Sequence, residues 1–211
     1  MTSISARFYT VGMSKLQLVQ DPAADALLAA NPFALLVGMM LDQQIPMEVA
    51  FAGPKKINER IGGFDAELIA GYNLDKFVAL CSETPAIHRF PGSMATRLQT
   101  LAQIIVDEYD GDAANVWTAG NPDGREVLLR LKRLPGFGDQ KAKIFLALLG
   151  KQYGVKAKGW QEAAGDYGTT GTFFSVADVR DQTSLDKVRS HKKQMKALHK
   201  GQAKEAKAAK A

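Results

Sequence analysis

Leu134-Pro135-Gly136-Phe137-Gly138-Asp139-Gln140-Lys141-Ala142 is the stretch on which the reading of this 211-residue chain turns. Before it, Glu126-Val127-Leu128-Leu129-Arg130-Leu131 carries the apolar stripe of a helix. After it, Lys141 to Leu149 repeats the pattern with Ala142, Ile144, Phe145 and Leu148 inward. The run between them is a tight turn, in which two glycines let the backbone reverse sharply and leave amides unshielded by side chains. Those amides open a helix at the positive end of its dipole and suit an anion such as phosphate.

Two helices hinged in this way form a helix-hairpin-helix, a geometry that holds a nucleic-acid backbone without reading its sequence. The same turn also serves purely structural ends between packed helices. Working outward, Lys15-Leu16-Gln17-Leu18-Val19 alternates polar and apolar, which predicts a short strand or extended lead-in over residues 1–20. Asp21-Pro22 caps a helix to about residue 30, and Asn31-Pro32 restarts a strongly apolar one through Leu41. Gln43-Gln44-Ile45-Pro46 breaks it, and a helix over 47–60 follows with an interruption at Gly53-Pro54. Further helices are predicted at 65–70, 74–81, 93–109 with Ser93 as N-cap, 115–120, 124–133 and 141–153. Residues 154–172 are Gly-rich and read as irregular; Asp181 then caps a last helix, Ser184 to His199. The class is all-α.

At 46% hydrophobic, the chain can bury a core in one domain or in two small lobes. No segment approaches the roughly 18 uninterrupted apolar residues that span a bilayer, so no membrane partner is expected. The N-terminus lacks the basic start, apolar run and cleavage site of a signal peptide. The single cysteine, Cys81, leaves no intrachain disulfide and no cysteine-held iron–sulfur cluster, and the three histidines have no metal-site spacing. A cytoplasmic, monomeric protein is the expectation. The net charge is +5, yet residues 189–211 hold eight of the 27 Lys/Arg and one of the 22 acids. The remaining body has 19 bases against 21 acids and is about neutral. The Lys/Ala tail is either a solvated end or a salt-sensitive source of phosphate attraction.

The hairpin string, Leu-Pro-Gly-apolar-Gly and then Ala142 before an apolar helix, resembles that of the HhH-GPD DNA glycosylase superfamily, which includes endonuclease III and adenine glycosylase. Leu35 to Pro46 resembles the family's apolar helix ending in a Gln-Gln or Gln-Ala pair, and Phe90-Pro91-Gly92-Ser93-Met94-Ala95-Thr96-Arg97-Leu98 resembles the helix leading to its hairpin. The resemblance covers roughly residues 30–155. It implies a two-lobed helical domain over 1–198 with a cleft facing double-stranded DNA, then a tail over 199–211. It also implies base removal from damaged or mispaired DNA, with the target nucleotide extruded from the stack. Gln43 and Gln44 would then stand at the base pocket or the gap in the duplex. Gly136, Phe137, Gly138, Gln140, Lys141 and Lys143 would lie against DNA, and hairpin carbonyls can hold a monovalent cation.

Bifunctional relatives add a hairpin lysine that forms a Schiff base. An ungapped register puts Gln140 at that position. Lys141 is turned about 100° around the helix, away from the same cleft and toward phosphate. The expected enzyme is therefore monofunctional. The family also needs an aspartate a short way beyond the hairpin to support the cationic sugar, but there this chain has Lys158-Gly159-Trp160. Asp178 and Asp181 follow the Gly-rich stretch, with Asp166 and Asp42 as lesser candidates. Asp181 is equally an ordinary N-cap, and Trp160 either stacks on a flipped base or packs in the core. Two other readings stand beside the glycosylase: a non-catalytic DNA-binding protein on the same scaffold, and an interaction protein with a structural hairpin.

Overall fold

A computed structural model describes residues 15–208, with side chains through Leu198. Among them every regular element is helical and no strand is present. The first half contains α1 (Pro22–Ala30), α2 (Pro32–Leu41), α3 (Met47–Phe51), α4 (Gly53–Ile61), α5 (Ala66–Ala70), α6 (Leu74–Ser82) and α7 (Pro91–Tyr109). The second half contains α8 (Asn115–Thr118), α9 (Gly124–Arg133), α10 (Asp139–Lys151), α11 (Trp160–Ala164) and α12 (Gln182–Ala208). Two 3-10 turns, Gly165–Gly168 and Val176–Asp178, lie between α11 and α12.

Local chemistry sets the starts. Asp21, Asn31, Asp65, Asn73 and Asp123 each lend a side-chain oxygen to a first-turn amide of α1, α2, α5, α6 and α9. Every residue from Phe33 to Leu41 is buried. A helix that is apolar all round belongs at the centre of the packing, and α1, α3, α4 and α7 gather about α2. Helices α5 and α6 lie against α7. In the second half α9, α10 and α11 pack on one another, and α10 also receives both 3-10 turns.

Four expectations are corrected. Lys15–Val19 alternates as predicted, with Leu16 and Leu18 buried, but it pairs with no strand. The amides of Leu18, Val19 and Gln20 instead donate to the buried carboxylate of Asp25. The part of that lead-in before Lys15 lies outside the described residues. Helix α7 starts at Pro91, not at a Ser93 cap, because a proline's fixed φ suits the first helical position. The Gly-rich stretch hides α11, and α12 runs on to Ala208 rather than ending at His199.

Helix α11 exists because of one close packing. A Cβ added to Gly150 would stand 2.4 Å from the Trp160 ring, and one added to Gly124 would stand 2.4 Å from the Trp160 Cα. Trp160 is therefore seated against α9 and α10, with the Lys156 ammonium 5.7 Å from its ring centroid. Of the two roles raised from sequence, it fills the packing one. Gly124 N–H donates to Lys158 C=O at 2.7 Å, which ties the same segment to the start of α9.

Candidate nucleic-acid interface and base site

The hairpin is α9, the turn Leu134–Gly138, and α10. Leu134 and Phe137 are buried, and Phe137 meets Phe145 edge-on with ring centroids 5.7 Å apart. Only the backbone of Phe137 can face a ligand. Gly136 sits at φ +85°, where side chains strain the backbone, and a Cβ there would come 3.1 Å from Met40 Cγ and 3.3 Å from Arg97 Cδ. Gly138 differs: its φ of −79° is ordinary and a Cβ would meet nothing within 4 Å. It is exposed at the start of α10, and among the described residues the amides of Gly138, Asp139 and Gln140 have no acceptor. This is an open anion seat at a helix N-terminus. Asp139 stands beside it, its carboxyl held below the usual range by Lys143 at 2.8 Å and Lys132 at 2.9 Å.

Gln140 and Lys141 diverge, and Lys141, expected to turn away from the cleft toward phosphate, instead reaches the end of α2. Gln140 is exposed and donates to the Tyr167 hydroxyl at 2.8 Å. Lys141 reaches back to α2 and donates to the Met40 carbonyl at 3.0 Å. The same carbonyl accepts Gln43 Nε2 at 2.9 Å. The Gln43 side-chain oxygen accepts Arg97 at 3.0 Å, and its backbone carbonyl faces His88 Nε2 at 2.8 Å. Because His88 Nδ1 accepts the Phe90 amide, Nε2 carries the proton and donates. Gln43 is thus fixed by protein contacts. Gln44 is exposed at φ +59°, so the loop presents its side chain outward. His88 and Arg97 escaped the sequence reading, because their contacts with Gln43 span 45 and 54 positions.

Burial pushes the Lys141 ammonium down from an ordinary 10.5 to about 8; Asp42 opposes this, while Arg97 and Lys192 add to it. Asp42 caps α2, its side chain 14% exposed, with Lys192 of α12 at 3.8 Å. Among the described residues no donor stands within hydrogen-bond distance of its carboxylate. It is an unsaturated carboxylate between two lysines, one residue before Gln43.

The downstream acids lie elsewhere. Asp178 forms a buried ion pair with Lys151 at 2.6 Å, the two side chains 4% and 5% exposed. Its other oxygen accepts the amides of Phe174 at 2.9 Å and Ser175 at 3.2 Å. Asp181 caps α12 by accepting the Ser184 amide at 2.7 Å, and the Ser184 bonds hold its carboxyl below the usual range. Both line a cavity of about 290 Å³ with Lys151, Thr172, Phe173 and Arg180. Asp166 is exposed in the first 3-10 turn. Lys141 and Lys151 sit near opposite ends of α10, about 15 Å apart along its axis. The structure therefore does not bring Asp178 to the Gln43 loop.

An exposed amide seat on a hairpin, docked against a glutamine loop and a half-buried carboxylate, suits contact with a nucleic-acid backbone. The chain belongs to the HhH-GPD superfamily of base excision DNA repair proteins, whose family model matches residues 37–208. It is a DNA-repair protein on a DNA-binding glycosylase scaffold. No curated protein and no solved structure matches it.

Gly138→Val should leave the fold intact while covering the amide seat. Duplex affinity should fall by roughly tenfold or more, the cost of one lost hydrogen bond to a charged group, while the loss of the glycine N-cap of α10 lowers the thermal midpoint by only about a few degrees. Lys141 gives a pH signature. Between about pH 8 and 10.5 the unfolded chain keeps a proton that folded Lys141 has released, so folding stability rises with pH across that window. The difference in urea midpoint between the wild type and Lys141→Met, followed from pH 7.5 to 10, should shift in favour of the wild type as pH rises.

Proposed function

We propose that this chain is a monofunctional DNA glycosylase that hydrolyses the N-glycosidic bond of a damaged or mispaired base in duplex DNA. The observation that carries the reading is the Asp42 carboxylate, which accepts no hydrogen bond among the described residues, beside the Gln43–Gln44 loop and the hairpin that docks on it. Hairpin amides hold a phosphate, which sets the register of the duplex. Gln44 enters the space vacated by the extruded nucleotide, on a loop held rigid by Arg97 and His88. As the bond from C1′ to the base nitrogen breaks, positive charge develops on the sugar. Asp42 is placed to stabilise it in a partly desolvated cleft. The base departs with the electron pair of the broken bond and takes up a proton from solvent; water then adds to C1′, and its proton passes to the carboxylate or to solvent.

Asp42 suits this role better than Asp178 or Asp181. Asp178 spends both oxygens on Lys151 and the Phe174 and Ser175 amides, and Asp181 spends its own on Ser184. Schiff-base chemistry has no amine at position 140, and Lys141 is engaged with a backbone carbonyl. The saturated downstream acids equally favour a second reading, a DNA-binding protein on this scaffold without catalysis, if Asp42 supports no turnover.

The test is incubation with duplexes carrying uracil, hypoxanthine, alkylated purines, oxidised bases and mismatches. Base release without strand nicking is expected, falling roughly a hundredfold or more in Asp42→Asn. Asp178→Asn should keep the release rate per folded molecule yet lose about 3 kcal/mol of stability, because it strands a buried Lys151. Nicking that borohydride traps on Lys141 would contradict the monofunctional reading. Release that survives Asp42→Asn but dies in Asp178→Asn would move the catalyst to the cavity lined by Asp178 and Asp181, and no release from any duplex would favour the DNA-binding protein.

A further inference from the structure

Helix α12 is the longest helix among the described residues: Gln182–Ala208 is 27 residues, or about 40 Å at 1.5 Å per residue. Its first half is held by the body. The Lys187 ammonium lies 4.4 Å from the Phe173 ring centroid, and His191 packs on Phe174 with centroids 4.8 Å apart. Arg189 pairs with Glu48 of α3, and Lys192 comes 3.8 Å from Asp42 at the end of α2. The helix therefore bridges the second half of the chain to the first and passes the Gln43 loop at Lys192. Residues 193–198 are all exposed.

The register beyond that point is one-sided. At 100° per residue, Lys192, Lys193, Lys196, Lys200, Lys204 and Lys207 fall within about one third of the helix circumference. The opposite side receives Gln194, Met195, Leu198, Gln202 and Glu205. The body is about neutral, so this row supplies the net positive charge of the chain. Its sixteen residues from Lys193 to Ala208 reach about 24 Å past the site, the length of about seven base pairs of B-form DNA.

We infer that the outer half of α12 is a second DNA contact, an arm whose lysine row follows the phosphate backbone on one flank of the base site. This rests on the duplex-binding part of the proposed function. A row of lysines free of arginine and aromatic side chains matches backbone charge and carries no base-reading chemistry. A membrane surface fits less well, since it requires a broad apolar face. Here the exposed large apolar residues on that side are Met195 and Leu198, interrupted by Gln and Glu.

The test is a full-length variant with Lys193, Lys196, Lys200, Lys204 and Lys207 changed to Gln, which keeps charge-free helix formers in place. Affinity for a 30-base-pair duplex with a central abasic-site analogue is measured from about 50 to 300 mM salt, near 0.9 units of slope per phosphate contact. The slope of log affinity against log salt should become shallower by about three to five units, and one flank should lose its hydroxyl-radical protection while the hairpin contacts remain. An unchanged slope and footprint would overturn the arm while leaving the hairpin reading standing. Binding abolished by the lysine changes but untouched by Gly138→Val would keep the arm and overturn the hairpin reading. Loss of binding to anionic vesicles with duplex affinity unchanged would overturn the arm in favour of a membrane surface.

Discussion

One backbone carbonyl organises the site. The last turn of α2 leaves carbonyls without intrahelical partners at the negative end of a helix buried along nearly its whole length. Asp42 N–H returns to Met39 C=O, and Gln43 N–H to Leu41 C=O. Met40 C=O takes two side-chain donors, Gln43 Nε2 and Lys141 Nζ, at 2.9 and 3.0 Å. Gly136 packs against the same residue, where an added Cβ would stand 3.1 Å from Met40 Cγ. The need to satisfy a buried helix end thus docks the hairpin, fixes the glutamine loop and draws an amine beside a carboxylate.

The two acidic centres show how similar ingredients serve different ends. Lys151 and Asp178 are nearly sealed from water, and an ion pair so placed is costly to break and saturated by hydrogen bonds. It fastens the segment before α12 onto the end of α10. Asp42 and Lys141 are less enclosed and do not touch as an ion pair. The lysine bonds to a carbonyl, and among the described residues the carboxylate accepts no hydrogen bond. Unused valence at a rigid position is what chemistry on an incoming substrate requires.

Local patterns made most of the fold legible. The apolar run Phe33–Leu41, the Asx-Pro starts and the hairpin glycines each encode their element within a few residues. So does the break at Gly53-Pro54, where α3 and α4 separate. Contacts that depend on distant partners stayed hidden. Alternation at Lys15–Val19 suggested a strand, but the buried Asp25 had already claimed its amides. Glycines 150 and 124 gave no sign that they make room for Trp160 and so nucleate α11. Helical periodicity alone turned Lys141 away from the cleft, whereas a long flexible side chain bends toward the Met40 carbonyl 101 residues earlier. Spacing from the hairpin led to Lys158-Gly159-Trp160, which has no acid, and the setting at a helix start drew attention to Asp178 and Asp181 instead; three-dimensional neighbourhood favours Asp42 for the proposed role.

The most direct measurement compares the affinity of wild type and Asp42→Asn for two duplexes. One carries a neutral tetrahydrofuran abasic analogue, the other a cationic pyrrolidine in the same position. A carboxylate that stabilises the cationic sugar should make the wild type prefer the pyrrolidine duplex strongly, and Asp42→Asn should erase that preference while binding the tetrahydrofuran duplex normally. Equal wild-type affinity for the two, or a preference that persists in Asp42→Asn and disappears in Asp178→Asn, would contradict it.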